Sequence, residues 1–539
     1  MATSKSTAKC TDYTVVKIDA GLLSGVRTAD GAVRAYKGVP YAQPPLGELR
    51  LRPPLPAAPW RGVRAADKFG PRCFQPSRAP ESIGWFGSEP ESEDCLTLNV
   101  WTGAASADER RPVMVWFHGG AYYLGSGALP IFDGEQLARR GIVLVTVNYR
   151  LGRLGFLAHP ALSRESPQHA SGNYGLMDQI GALAWVRNNI AAFGGDPRCV
   201  TIFGQSAGSF SVSVHMISPV SRGLFHRAIG QSGAAFGSIG ETSATGDCTQ
   251  SLDAAEKSGA ALATTLGAKT ATQLRALPAR ELQLAGRGAD PKSGGVFDPA
   301  RAARGAWDTS YAITDGYIIP ESAAEVFARG GQHDVPLIAG TTENEGATMP
   351  PAASLAAYIE QAKADYGDQA DEFLRLYPAG NDLEARYANK AVIGDRNFIY
   401  QNWRWVRWQA ATGSAKVFHY RYNKRPPFPP GATYSEDTGE RLGAFHGTEI
   451  PYIYRNLNVR DWPWTYVDRQ LSESISTYWT NFARNGDPNG PGLPEWPQFS
   501  ERRPTVMHFN DTPSVGGVPH LERLQFWEAF YERLGVRRS

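Results

Sequence analysis

The 539-residue sequence predicts an α/β fold, with a mostly parallel central sheet flanked by helices, and three stretches carry that reading. Ile142–Val147 is an unbroken apolar run with β-branched residues, the pattern of a strand buried on both faces. Leu176–Asn189 places Ile180, Leu183, Ala184 and Val186 at helical spacing, and Val200–Phe203 follows as a second buried strand. Strand, helix, strand in that order indicates βαβ units and a doubly wound sheet.

The remaining elements fit around that unit. Tyr13–Ile18 and Ala32–Tyr36 alternate as half-buried strands, with Gly21 and Asp30-Gly31 as turn signals, which predicts an N-terminal β-hairpin region. Residues 37–45 are too proline-rich for regular structure and read as a rigid, extended surface segment. Pro112–Phe117 is a strand that runs into His118–Tyr123. Residues 239–310 are rich in Ala, Thr and Gly and read as a helical insertion, as does the mostly helical stretch 352–412. Between and after them, Val335–Gly340 and Val417–Tyr422 read as strands. Leu471–Arg484 is an amphipathic helix ended by Asn485-Gly486-Asp487-Pro488. The whole of 1–539 is expected to form one domain carrying these insertions.

Composition narrows the function classes. With 42% hydrophobic and 20% charged residues the chain resembles an ordinary globular protein. Its 55 basic and 53 acidic residues leave a net charge of +2 and no long basic block, which argues against nucleic acid or an anionic membrane as a main partner. No stretch is long and apolar enough to span a bilayer. The polar N-terminus lacks the apolar core of a signal peptide, so the reading is a secreted or periplasmic protein with its signal removed, ahead of a cytoplasmic one. The sequence is silent on oligomeric state. Five cysteines (Cys10, Cys73, Cys95, Cys199 and Cys248) show no Cys-x-x-Cys spacing, so no zinc site is expected. Cys73 and Cys95 bracket a Pro-, Ser- and Gly-rich loop, either as a disulfide or as two buried thiols.

The chemistry starts at Gly204-Gln205-Ser206-Ala207-Gly208. A Gly-x-Ser-x-Gly pattern between a strand and a helix is a nucleophile elbow, with the serine strained at the apex and small residues letting the neighbouring backbones approach. Serine is a weak nucleophile at neutral pH and needs a histidine to take its proton, and the histidine needs a carboxylate to orient it. In chain order Ser, acid, His, the candidates are Ser206, then Glu345, with Glu343 nearly equivalent on chemistry alone and Asp334 a third candidate, then His446 among ten histidines. A tetrahedral intermediate needs backbone N–H donors from residues with little side chain, and His118-Gly119-Gly120-Ala121 lies upstream as such a motif does.

With these motifs in place, the chain resembles the type-B carboxylesterase family, the cholinesterase-like branch of the α/β-hydrolases. Lys37–Ala42, Ser92–Val100, Asn148–Gly152, Gly172–Gln179, Phe193–Pro197 and Asn481–Arg484 carry the likeness over nearly the whole length. The resemblance implies an α/β-hydrolase fold and a serine carboxylesterase acting on a small-molecule ester without metal or organic cofactor. It implies Ser206, Glu345 (the glutamate directly before glycine) and His446 (in a His-Gly-x-Glu context) as catalytic residues. Gly120, Ala121 and Ala207 are implied as oxyanion donors, Ser232 as a partner of the acid, Gln205 as a supporting residue behind the catalytic groups, and Cys73–Cys95 as a disulfide. Such a bridge would close a 23-residue loop, worth roughly 3 kcal/mol in the chain-entropy treatment.

Two departures bear on substrate. Gln205 stands where cholinesterases carry glutamate beside the nucleophile, which weakens the case for a cationic choline ester. Ala121 replaces the third glycine of the oxyanion motif and narrows the space beside it. Trp85, Tyr122, Tyr123 and Phe236 are candidate pocket walls. A lipase for longer acyl chains is the nearest alternative, though the loop between Cys73 and Cys95 is too polar and proline-rich for an apolar lid. A non-catalytic adhesion relative would usually lack a triad member, and all three are present here.

Overall fold

The apolar β-branched runs become the middle of one sheet. The computed structural model describes residues 14–76, 81–84, 87, 89–236, 249–285, 311–349 and 351–535. Eleven of its strands are β1 (Val26–Arg27), β2 (Arg34–Pro40), β3 (Thr97–Thr102), β4 (Arg111–Phe117), β5 (Val143–Val147), β6 (Gly195–Gln205), β7 (Arg227–Gln231), β8 (Leu337–Thr342), β9 (Val417–Tyr422), β10 (Thr505–Phe509) and β11 (Pro513–Gly517). They lie side by side in the order β11-β10-β9-β8-β7-β6-β4-β5-β3-β2-β1. Every neighbouring pair from β5 across to β10 is parallel. Antiparallel strands finish both ends.

Helices cover both faces. The principal ones here are α1 (Tyr174–Asn189), α2 (Ala207–Ile217), α3 (Tyr400–Thr412) and α4 (Tyr466–Asn485). Alternation along β4 sends Val113, Val115 and Phe117 to one face with Val212 and Val214 of α2. Met114 and Trp116 go to the other face with Ile475, Trp479 and Phe482 of α4. All of β5, β8 and β9 is buried, which accounts for the continuous apolar run of β5, whereas the alternating sequence of β9 buries His419 and Arg421 as well.

Several boundaries differ from expectation. The proline-rich segment is not a surface strap: β2 continues through it to Pro40, and Val39, Tyr41 and Ala42 are buried. A register shift between Tyr36 and Val39 absorbs the irregularity, and Pro40 costs little because it ends the strand. β6 begins at Gly195, ahead of the expected strand at Val200–Phe203. α4 starts five residues before Leu471, because Thr465 and Asp468 form a capping box ahead of the exposed Tyr466. β10, β11 and the helix Leu521–Arg533 complete one end of the sheet without having been anticipated.

The first helical insertion contains Leu252–Thr265, Ala271–Ala276 and Ala279–Leu284, while 237–248 and 286–310 lie outside the described residues. The second contains helices Leu355–Tyr366, Ala370–Leu376 and Asp382–Gly394, then a π-helical turn, Asp395–Ile399, that runs into α3. Among the described residues no helix is long and apolar enough to cross a membrane.

Candidate active site

At the carboxyl ends of the parallel strands, the Gly120-Ala121 turn follows β4, Ser206 follows β6, Glu345 follows β8, and His446 lies in the segment after β9. Ser206 sits between β6 and α2 at φ 57°, ψ −125°, a conformation that costs a serine on the order of 1–3 kcal/mol. The turn is possible because its flanking glycines leave no room for anything else. A Cβ at Gly204 would lie 2.5 Å from Gly208 backbone, and one at Gly208 would lie 1.9 Å from Phe117 O. Ser206 N–H donates to Gln231 O at 2.8 Å, and Ser206 O accepts from Phe210 N–H at 2.9 Å, so the apex is held from both sides.

The loop after β4 wraps against that apex. Gly120, Ala121 and Tyr122 take φ of 108°, 53° and 60° in succession, and Gly120 O accepts N–H groups from Tyr123 and Leu124. Gly120 admits no side chain, since its Cβ would lie 2.2 Å from Leu124 O. Gly119 faces Ser206, whose Cβ lies 3.1 Å from where a Cβ on Gly119 would be. Ala207 opens α2, where the first N–H groups have no intrahelical acceptor. Beneath the loop, Tyr149 donates to His118 O at 2.6 Å and stacks on its ring at 4.4 Å.

Glu345 and His446 meet at 2.5 Å, Oε2 to Nδ1. The glutamate is buried, and its other oxygen accepts Thr342 N–H at 2.7 Å, so both carboxylate oxygens are committed. The rival acids have other surroundings. Glu343 is exposed, and Asp334 accepts from Ser414 and Ala415. Rival histidines are silenced by burial, which pushes His118 down to about 4, His419 to about 4 and His215 to about 3.

A strained serine beside a glycine-rich loop, with a glutamate–histidine pair across the same sheet ends, agrees with the comparisons. The profile of the carboxylesterase family matches residues 12–527. The chain belongs to the carboxylesterase family. It is 35% identical to a fumonisin B1 esterase of Sphingopyxis macrogoltabida, over 92% of this chain and 86% of that protein. It is 32% identical to a human cocaine esterase, over 94% and 89%, and 33% identical to human carboxylesterase 3, over 93% and 87%. The sheet is that of an α/β-hydrolase, and the chain is a carboxylic ester hydrolase.

Other expected residues of this carboxylesterase fall differently. Tyr122 is buried, bonds Ser211 Oγ at 3.1 Å, and lines a small apolar cleft with Phe210, Val214, Ala235, Thr249 and Tyr311. Tyr123 is half-buried on the same loop. Phe236 is fully buried edge-on to Phe327 at 4.9 Å, a core residue rather than a wall of that cleft. Trp85, Cys10 and Cys248 lie outside the described residues.

Ser232 does not hydrogen-bond the acid. Its N–H donates to Gly340 O, while its hydroxyl is buried without a hydrogen-bond partner, because φ 58° at this residue follows the backbone's turn off β7. Cys73 and Cys95 are free, buried thiols, and Cys199 is a half-buried one. The Cys95 thiol is pushed well up, first by hydrogen bonding with Cys73 and then by burial, so the pair is adjacent but unbridged.

Three neighbours of the pair had no sequence signal for their contacts. Phe398, from the π-helical turn, packs on the His446 ring at 4.4 Å. Gln205 Nε2 lies 3.0 Å from His446 Nε2. Glu449 is buried behind the pair, accepts from Gln231 Nε2 at 3.2 Å, and is pushed up to about 7 by burial and then by the Glu345 charge. Two of the residues lay inside recognised patterns, Gln205 in Gly-x-Ser-x-Gly and Glu449 in the His-Gly-x-Glu context, but neither pattern pointed to these contacts.

Proposed function

We propose that the chain hydrolyses uncharged carboxylic esters through an acyl-enzyme on Ser206, and that all of 1–539 serves as one α/β-hydrolase domain for that purpose. Ser206 Oγ attacks the ester carbonyl while His446 Nε2 takes its proton. Glu345 holds the imidazole through Nδ1–H and offsets the charge that develops on it. The N–H groups of Gly120, Ala121 and Ala207 receive the oxyanion. His446 returns the proton to the departing alkoxide, water then attacks the acyl carbonyl by the same route, and the acid leaves.

The observation that carries this reading is the 2.5 Å contact between His446 Nδ1 and the buried Glu345, at the same sheet ends as the strained Ser206. The relatives' names, a fumonisin B1 esterase, a cocaine esterase and an acylcarnitine hydrolase, share hydrolysis and no one substrate, so the proposal is for the bond. The preference for uncharged alcohols rests on Gln205, which offers no negative charge beside the nucleophile where a carboxylate would attract a cation.

The test is hydrolysis of p-nitrophenyl esters from acetate to palmitate by wild type and Ser206→Ala. Turnover of short chains that falls about 10⁴-fold or more in the variant is expected. A rate maximum at long chains would move the reading to a lipase, and undiminished turnover in the variant would remove Ser206 from the reaction.

A further inference from the structure

Gln205 touches the atom of His446 that the proposed reaction uses. Its side-chain nitrogen lies 3.0 Å from His446 Nε2, whereas among the described residues Ser206 makes no hydrogen bond to that nitrogen. Gln205 is buried, at 6% exposure, and its amide lies between two backbone turns that have no side chains of their own. A Cβ at Gly119 would lie 3.0 Å from Gln205 Oε1, and one at Gly447 would lie 3.4 Å from Gln205 Nε2. The amide therefore bridges the oxyanion loop and the histidine loop.

An amide nitrogen has hydrogens to give and no lone pair to offer, so it can only donate to Nε2. Donation requires a neutral imidazole with its proton on Nδ1, which is the form that donates to Glu345. The contact thus selects the tautomer competent as a base. It also occupies the lone pair that must accept the Ser206 proton. Once Nε2 carries that proton, two N–H groups face each other and the bond is lost, so the contact favours the neutral ring.

We propose that Gln205 is a positioning residue that holds the neutral His446 ring through Nε2 in the resting enzyme and selects the tautomer that can act as a base. The inference rests on the assignment of His446 as proton carrier. The charged and titratable groups facing this histidine are few. Glu345 comes from the loop after β8, Glu449 from its own loop, and Arg421 and Tyr420 of β9 act on those two glutamates. His118 on the oxyanion loop is neutral, and Phe398 is uncharged. Gln205 is the neighbour whose hydrogen bond to the ring exists only while the imidazole is neutral.

The experiment is the pH profile of kcat/KM for p-nitrophenyl acetate with wild type, Gln205→Met and Gln205→Glu. A donor to the neutral ring favours the deprotonated enzyme, so removing it moves the acidic limb to higher pH. The expected shift in Gln205→Met is about half a unit to one unit, the size of one hydrogen bond. Gln205→Glu, which can only accept, is expected to move the limb further in the same direction.

A Gln205→Met limb that coincides with wild type, or lies at lower pH, would overturn the proposal and leave Gln205 as packing. Nitrogen-15 resonances of the His446 ring in resting wild type provide a check that needs no variant. An unprotonated, hydrogen-bonded Nε2 is expected, and a protonated Nε2 above the acidic limb would overturn it too. Failure of the underlying assignment looks different: His446→Ala would retain turnover.

Discussion

Asn344 and Phe445 pair in an isolated parallel bridge, and the next residue on each side is Glu345 or His446. Asn344 N–H donates to Ala444 O at 3.0 Å, and Ala444 N–H donates back to Asn344 Oδ1 at 2.9 Å. Gly443, at φ 57°, clears the way, since a Cβ there would lie 2.2 Å from Asn344 Oδ1. Two loops a hundred residues apart in sequence are thereby locked in register one residue before the glutamate–histidine contact.

Asn344→Ala removes the side-chain half of that lock. It is expected to cost about 1 kcal/mol of stability and to lower kcat about 10- to 100-fold, with KM little changed, because a small displacement of a reacting group is enough to slow chemistry. Steady-state kinetics on a soluble ester would show this. A raised KM at unchanged kcat would place Asn344 in binding instead.

Strain at Ser206 gives a second prediction. Glycine tolerates positive φ far better than serine, so Ser206→Gly should raise the unfolding free energy by about 1 kcal/mol while abolishing turnover. Thermal or urea unfolding compares it with Ser206→Ala, which keeps the strain. Equal stability of the two variants would count against stored strain at the elbow.

Glu449 makes stability pH-dependent. Its ordinary carboxyl value near 4.5 is raised to about 7 by burial and by Glu345, so the folded protein holds a proton that the unfolded chain releases earlier. Its stabilising contribution is therefore full below about 4.5 and is lost as pH rises to about 7, a difference of about 3 kcal/mol across that window. Glu449→Gln should flatten this slope and be relatively more stable above pH 7, as measured by urea unfolding from pH 5 to 8. Parallel wild-type and variant curves would contradict it.

The Cys73–Cys95 pair predicts selective thiol chemistry. Both groups are buried and the Cys95 thiol is pushed up, so neither should alkylate in the native, reduced protein, while the half-buried Cys199 should react before either of them. Peptide mass spectrometry after timed iodoacetamide treatment would separate them. Early labelling at Cys73 or Cys95 would show that their loop opens readily.

The elbow, the glycine loop and the parallel core were legible because each is a local pattern with a local physical cause. Gly204 and Gly208 are small because backbone passes within 2.5 Å of where a side chain would start. Glu345 and His446 were each marked by context, but their contact depends on the Asn344–Phe445 bridge, which no single stretch encodes. Gln205 was noted for the charge it lacks. Its bond to His446 joins residues 241 positions apart and becomes visible only when two loops meet. At Ser232, a hydrogen bond to the acid was expected from resemblance, and the backbone turn leaves that hydroxyl unbonded. Boundaries slipped where strand or helix continued through Pro40 or past the exposed Tyr466, residues whose own preferences hide the element they belong to.

The central claim is that Ser206 forms the covalent intermediate. Incubation with an irreversible organophosphate, followed by peptide mass spectrometry, tests it most directly. The account predicts stoichiometric labelling of Ser206 alone, loss of esterase activity in step with it, and no label on Ser206→Ala. Labelling at another residue that tracks the loss of activity, or full activity in a protein labelled at Ser206, would contradict it.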